Sequence, residues 1–132
     1  MIGGPTPHLE WDELACSDGT PYPQEWKDRA QELAELFEMI RWTCGDRPLQ
    51  VLSAYRTPEH NRRVGGVPKS QHLEGRALDL RPPEGMDSFS FFKIIKSMRL
   101  SGGIGFYRTF VHVDIRDVKR LVSWSGSSSF VG

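Results

Sequence analysis

A chain of 132 residues suits one domain and buries roughly two-thirds of the surface it exposes when unfolded, so a core forms without disulfide staples. Apolar residues at 38% and charged residues at 26% place it among soluble globular proteins and exclude a disordered chain. Seventeen basic residues cancel seventeen acidic ones, which removes any general attraction to nucleic acid or an anionic membrane, and no apolar run reaches the roughly 18 residues that span a bilayer.

The start, MIGGPTPHLEW, has neither a basic n-region nor an apolar h-region, so no secretory signal is visible. Synthesis in the cytoplasm is expected, and work on a cell wall would need another export route or phage-type release by lysis. Residues 1–22 are rich in Pro, Gly and Asp. Within them Leu9, Trp11 and Leu14 predict a short helical turn or loop, and the segment reads as an N-terminal extension packed on the body.

Trp26, Ala30, Leu33, Phe37, Ile40 and Cys44 recur at steps of four and three, which is one face of an α-helix. Pro23 suits its first turn and Gly45 the left-handed cap after its last. The run Leu49 to Tyr55 alternates and predicts a strand. Thr57 as N-cap and Pro58 at the first helical position open a short helix. VGGVPKS is loop chemistry. In RALDLR, Ala77, Asp79 and Arg81 share one strand face and Leu78 and Leu80 the other, until Pro82 and Pro83 stop the strand. Asp87 caps a second long helix carrying Phe91, Phe92, Ile94, Ile95 and Met98. GGIGFY and FVHVDIR read as two strands, the second with Phe110, His112 and Asp114 on one face. LVSW is a last short strand, and 125–132 a flexible tail. The order of helices and strands predicts a small α+β domain over 1–132, with no internal repeat and no linker.

Cys16 and Cys44 form no CxxC and are too few for a disulfide framework. Buried free thiols, a Cys16–Cys44 bridge and a metal role all remain open at this level.

Two strand faces hold polar residues where apolar ones would be cheaper: Asp79 between leucines, and His112 with Asp114. A buried carboxylate is unfavourable unless it is paired or ligating. With His72 from the preceding loop, His72, Asp79 and His112 make a three-ligand set. Two imidazoles and a carboxylate suit Zn²⁺ and leave a fourth position for a water whose pKa falls towards about 7. The alternative is that Asp79 pairs with Arg76 or Arg81 and that His112 is a satisfied, half-buried histidine.

SAYRTPEHNRRVGG, SQHLEGRALDL and GGIGFYRTFVHVD, in this order, resemble the zinc D-alanyl-D-alanine carboxypeptidase family, peptidoglycan peptidases that share a fold with the hedgehog signalling domain. Its pattern S-x-H-x-x-G-x-A-x-D, followed by a distant histidine, is met by Ser70, His72, Gly75, Ala77 and Asp79, with His112 downstream. The resemblance runs from about Leu49 to Asp114 and loosely takes in the N-terminal W-x-E-L-x-C stretch. It implies a hedgehog/DD-peptidase-type antiparallel sheet flanked by helices, with one zinc per chain held by His72, Asp79 and His112. It further implies that Arg56 and Ser70 contact the substrate end and that the substrate is a peptidoglycan stem or cross-bridge peptide; a monomer is expected. The bond would adjoin a D-amino acid, cut by a carboxypeptidase or an endolysin-type endopeptidase. Gly75 would let the loop turn between two ligands.

One position departs from the pattern. Better-known members carry an acid three residues before the last histidine, where this chain has Thr109. The nearest carboxylate is Asp114, on the same strand face as His112, which makes it a candidate general base or an orienting partner of that histidine. A purely structural Asp114 paired with Arg116 or Arg120 is the other account. Thr109 also favours a rival in which the domain keeps zinc for stability and binds peptide without cutting it. A nuclease reading of EHNRR is disfavoured by the neutral net charge and by the missing second histidine at close spacing. Its bland counterpart has Asn61 bonding a loop backbone.

Overall fold

The computed structural model describes residues 3–126. Helix α1 (Trp11–Leu14) and a 3₁₀ turn (Gln24–Trp26) lead into the long helix α2 (Lys27–Thr43). Strand β1 (Gln50–Ser53), helix α3 (Pro58–Arg63) and a second 3₁₀ turn (Gln71–Glu74) follow. Strand β2 (Ala77–Arg81), helix α4 (Ser88–Met98), and strands β3 (Gly102–Phe106), β4 (Val111–Asp114) and β5 (Leu121–Ser125) complete the chain. Residues 127–132 of the expected tail lie outside the described residues, and Ser125 belongs to β5.

The five strands form one sheet in the order β1-β2-β4-β3-β5. All neighbours are antiparallel except β3 and β5, which run parallel. The α+β expectation is met, with a parallel edge pair in place of a wholly antiparallel sheet. Leu78, Val113 and Ile104 make one cross-strand row, and Leu80, Val111 and Phe106 the next. Apart from the half-buried Phe106, they share one core cluster with Phe37 of α2 and Phe91 and Ile95 of α4. Leu9 and Leu14 lie in that same cluster, fully buried, so the N-terminal segment is part of the core.

Helix α2 begins later than its apolar stripe suggests. Trp26 closes the 3₁₀ turn, and Pro23 precedes that turn rather than entering the helix. At the other end Gly45 has φ +88°, as its capping role requires. Strand β1 is shorter than Leu49 to Tyr55, with an irregular register between Val51 and Ser53. Beyond Ser53 the chain leaves the ladder because other partners claim its backbone: Tyr55 N–H donates to the Leu14 carbonyl and Arg56 N–H to that of His72. Among the described residues no helix is long and apolar enough to cross a membrane. Cys16 and Cys44 are both free and buried, so they form no bridge.

Candidate metal centre

The sheet face opposite the leucines carries the polar row. Ser53, Asp79, His112, Gly105 and Trp124 stand side by side across β1, β2, β4, β3 and β5. Strand pairing alone therefore places Asp79 beside His112. His72 reaches the row from the turn Gln71–Glu74. Ser70 caps that turn, its hydroxyl accepting from His72 N–H at 3.1 Å. Gly75 ends it with φ +65°. A Cβ there would meet the Tyr22 hydroxyl at 2.8 Å, and that hydroxyl donates to the Gly75 carbonyl at 2.8 Å.

Three ligand atoms converge. His72 Nε2 is 3.2 Å from Asp79 Oδ1, and His112 Nδ1 is 3.0 Å from the same oxygen. One nitrogen or oxygen of each residue lies within 4.8 Å of the others, and all three residues are buried. The outer atoms fix the protons. His72 Nδ1 lies 2.6 Å from the Ala54 carbonyl, which can only accept, so the ring's hydrogen sits there and Nε2 is left with a lone pair. His112 Nε2 lies 2.7 Å from the Asp114 carboxylate, the shorter of the ring's two carboxylate contacts, so in the neutral ring the hydrogen sits there and a cation would compete with a proton for the lone pair on Nδ1. Three lone pairs thus face one another at about hydrogen-bond distance, an arrangement that a divalent cation satisfies.

The electrostatics agree. Burial pushes the His72 pKa down, and the net shift is downward despite the Asp79 charge, so the ring is kept neutral. Burial also opposes charge on His112, but hydrogen bonds to Asp114 and Asp79 outweigh it and raise its pKa. Burial likewise favours the neutral form of Asp79, yet the two histidines hold its carboxyl well below the usual range. Positive charge is stabilised at this point of the sheet.

Arg56, 8% exposed, closes one side of the site. Its guanidinium donates to Ser53 Oγ (3.2 Å), Asn61 Oδ1 (3.3 Å) and Asp79 Oδ2 (3.4 Å). The arginine paired with Asp79 is therefore neither Arg76 nor Arg81; Arg81 bonds Gln50 instead. Asn61 Nδ2 donates to the Val67 carbonyl at 2.9 Å, the loop-backbone bond expected of it.

Asp114 stands behind His112, fully buried. Arg116 grips it twice, Nε to Oδ1 at 2.8 Å and Nη2 to Oδ2 at 2.7 Å. Its carboxylate fits because the facing residue is Gly103, where a Cβ would sit 2.4 Å from Oδ2. Gly105 does the same for the Trp124 indole, 2.6 Å from its would-be Cβ.

A cavity of about 450 Å³ opens on His72, Asp79 and His112. Arg56 and Ser70 line it, as do Lys69, Tyr107, Phe110, Arg116 and Trp124. Asp114 does not, and among the described lining residues Asp79 is the only carboxylate. Thr109 lies exposed in the turn between β3 and β4. The aromatic wall is a feature that sequence reasoning missed. Tyr107 and Phe110 stack at 4.5 Å, Trp124 Nε1 donates to the Tyr107 hydroxyl at 3.1 Å, and Arg116 lies over the Trp124 ring at 4.9 Å. The spaced glycines of GGIGF, facing a carboxylate and an indole, were the available signal.

A sequence model of the family described as Peptidase M15 matches residues 7–114, which takes in the three converging residues and Asp114 but stops short of Arg116 and Trp124. No curated protein matches the chain.

Proposed function

The chain belongs to the peptidase M15 family of zinc metallopeptidases, and from that premise we propose that it hydrolyses peptidoglycan stem or cross-bridge peptides beside a D-amino acid. The observation that carries this is the meeting of three lone pairs, on His72, Asp79 and His112, at the floor of an open cavity. These residues would hold the zinc. Bound there, zinc supplies Lewis acidity towards the scissile carbonyl and lowers the pKa of a water molecule.

The remaining roles belong to the chain. Ala54 and Asp114 fix the ring orientation and tautomer of the two histidines, so each presents one nitrogen to the centre. Arg56 and Ser70 lie on the cavity wall, where a guanidinium and a hydroxyl suit a substrate carboxylate or carbonyl. Lys69 adds a second cation for an anionic peptide end. Of the roles open to Asp114, the orienting one has the better support, because its oxygens are engaged by His112 and Arg116 and it does not line the cavity.

A second reading has one observation in its favour. With Asp79 the only carboxylate among the described lining residues, and with Thr109 in place of an acid, a zinc-stabilised domain that binds peptide without cutting it also fits. Metal analysis of wild type, His72→Ala and Asp79→Ala, together with muropeptide digestion followed by mass spectrometry, separates the two. Chelator-sensitive cleavage is expected, and the released fragments distinguish a carboxypeptidase from an endopeptidase. A zinc content as high as wild type's in both substitutions overturns the ligand assignment. Zinc-loaded protein that binds muropeptides and releases no product establishes the binding domain.

A further inference from the structure

We propose that Cys16, Asp18 and His60 form a second metal site, for a thiophilic divalent cation such as zinc, separate from the cavity and independent of the reading of its chemistry. One sulfur, one carboxylate oxygen and one imidazole nitrogen lie within 4.8 Å of one another. They come from two segments: the turn after α1, and helix α3. Cys16 is buried, Asp18 exposed and His60 half-buried, so a cation held by all three would keep one side open to water. Three mixed donors with a water in the fourth position match what tetrahedral zinc accepts.

The turn is built to present its ligands. Cys16 N–H donates to the Thr20 carbonyl at 2.9 Å, and Gly19 N–H to the Cys16 carbonyl at 3.0 Å, which closes the loop. Thr20 N–H donates to Asp18 Oδ1 at 2.9 Å and holds the carboxyl ionised, well below its usual pKa. Thr57 Oγ donates to Asp18 Oδ2 at 3.0 Å and itself accepts from His60 N–H at 3.1 Å, so the N-cap of α3 already ties the two segments together. The Cys16 sulfur lies within 4.8 Å of the Asp18 carboxylate, whose charge a cation would share. On binding, Cys16 loses its thiol proton to solvent. Thiolate and carboxylate then carry two negative charges against the cation's two positive ones, and Arg63, 3.9 Å from Asp18, lies beside the pair.

The site would act as a clamp. Helix α3 carries Asn61, which accepts from Arg56 at the cavity wall. A cation joining His60 to Cys16 and Asp18 fixes that helix against the N-terminal turn, and so fixes the end of the cavity that α3 supports.

Cobalt tests this without reference to activity. A thiolate ligand gives Co²⁺ an intense near-ultraviolet charge-transfer band, which the nitrogen and oxygen donors of His72, Asp79 and His112 cannot produce. Metal-free protein titrated with Co²⁺ should show the band in wild type, in His72→Ala and in Cys44→Ser, and lose it in Cys16→Ser. Zinc content should be two per chain in wild type and one in Cys16→Ser. His60→Ala, which removes a partly exposed side chain, should keep native circular dichroism and weaken the band's half-saturation at least tenfold. A wild-type protein with no band at saturating cobalt overturns the proposal. So does a band that persists in Cys16→Ser, or a folded His60→Ala variant with unchanged affinity.

Discussion

Asp114 Oδ2 lies 2.7 Å from His112 Nε2, on the opposite side of the imidazole from Asp79. The carboxylate is fully buried, and two Arg116 nitrogens hold it in place. Such a partner sets the ring's orientation and makes its other nitrogen a better donor. Asp114→Asn should therefore weaken zinc binding by roughly 10- to 100-fold, the usual effect of losing such a support. Turnover at saturating zinc should change far less. Chelator competition measures the first and steady-state kinetics the second. Zinc affinity equal to wild type, with turnover abolished, would instead make Asp114 the proton carrier.

Arg56 serves three acceptors at once, on Ser53, Asn61 and Asp79. A lysine ammonium cannot reproduce that planar fork. Arg56→Lys is expected to retain zinc while kcat/KM on muropeptide falls at least about tenfold, since a tenfold loss needs only about 1.4 kcal/mol of lost transition-state contact. Arg56→Ala should also destabilise the fold by on the order of 3 kcal/mol, because it strands a buried carboxylate and a buried amide. Denaturant unfolding and zinc analysis separate the two effects. Full activity in Arg56→Lys would remove the guanidinium from substrate binding.

The polar face was legible in RALDL and FVHVD because a two-residue period decides which side chains share a face, and leucines on one side oblige Asp79 to have a partner on the other. His72 was legible as a candidate third ligand, but only its resemblance to a motif gave that reading weight, since nothing in a loop's composition says where it folds back. The spaced glycines of GGIGF signalled that something bulky lies against them, but not that it is Trp124. The tryptophan enters the row of Asp79 and His112 because β5 lies parallel beside β3, and strand order is not written in any local pattern. The same limit hid the division of labour between arginines. Neighbours in sequence, Arg76 and Arg81, were the natural partners for Asp79, yet Arg56 reaches it because the chain leaves β1 early and bends over the sheet.

Gly75 and Tyr22 share one small space. The glycine has φ +65°, and its missing Cβ would stand 2.8 Å from the tyrosine hydroxyl. Gly75→Ala should cost about 1–2 kcal/mol from the left-handed backbone, with a further loss from that contact. Tyr22→Phe alone should cost about 1 kcal/mol for its lost bond to the Gly75 carbonyl. The double variant should be less destabilised than the sum, because removing the hydroxyl relieves the contact. Urea unfolding of all four proteins closes the cycle. Strict additivity would show that the alanine is accommodated without touching Tyr22.

Asp87 gives the fold a measurable acid limb. It caps α4, Oδ1 accepting from Ser90 N–H at 2.7 Å and Oδ2 from Ser90 Oγ at 2.9 Å. The Ser90 backbone bond, followed by its hydroxyl, lowers the Asp87 pKa. A carboxyl whose folded pKa lies below its unfolded value near 3.9 contributes its full stabilisation above that value and loses it as pH falls through the folded one. Helix α4 supplies Phe91 and Ile95, both fully buried, so a frayed cap reaches the core. Asp87→Ala should melt roughly a few degrees below wild type at pH 7, as expected for a lost cap. That gap should shrink steadily below about pH 4 as the wild-type carboxyl takes up its proton. Asp87→Asn keeps an acceptor oxygen without a titrating group, so it should lose little at neutral pH and show a flatter acid limb than wild type. Taking differences between variants at each pH cancels the loss of zinc that acid causes in all of them. A gap between wild type and Asp87→Ala that stays constant from pH 7 to about pH 3 would show that the cap works as a hydrogen-bond acceptor alone, with no contribution from its charge.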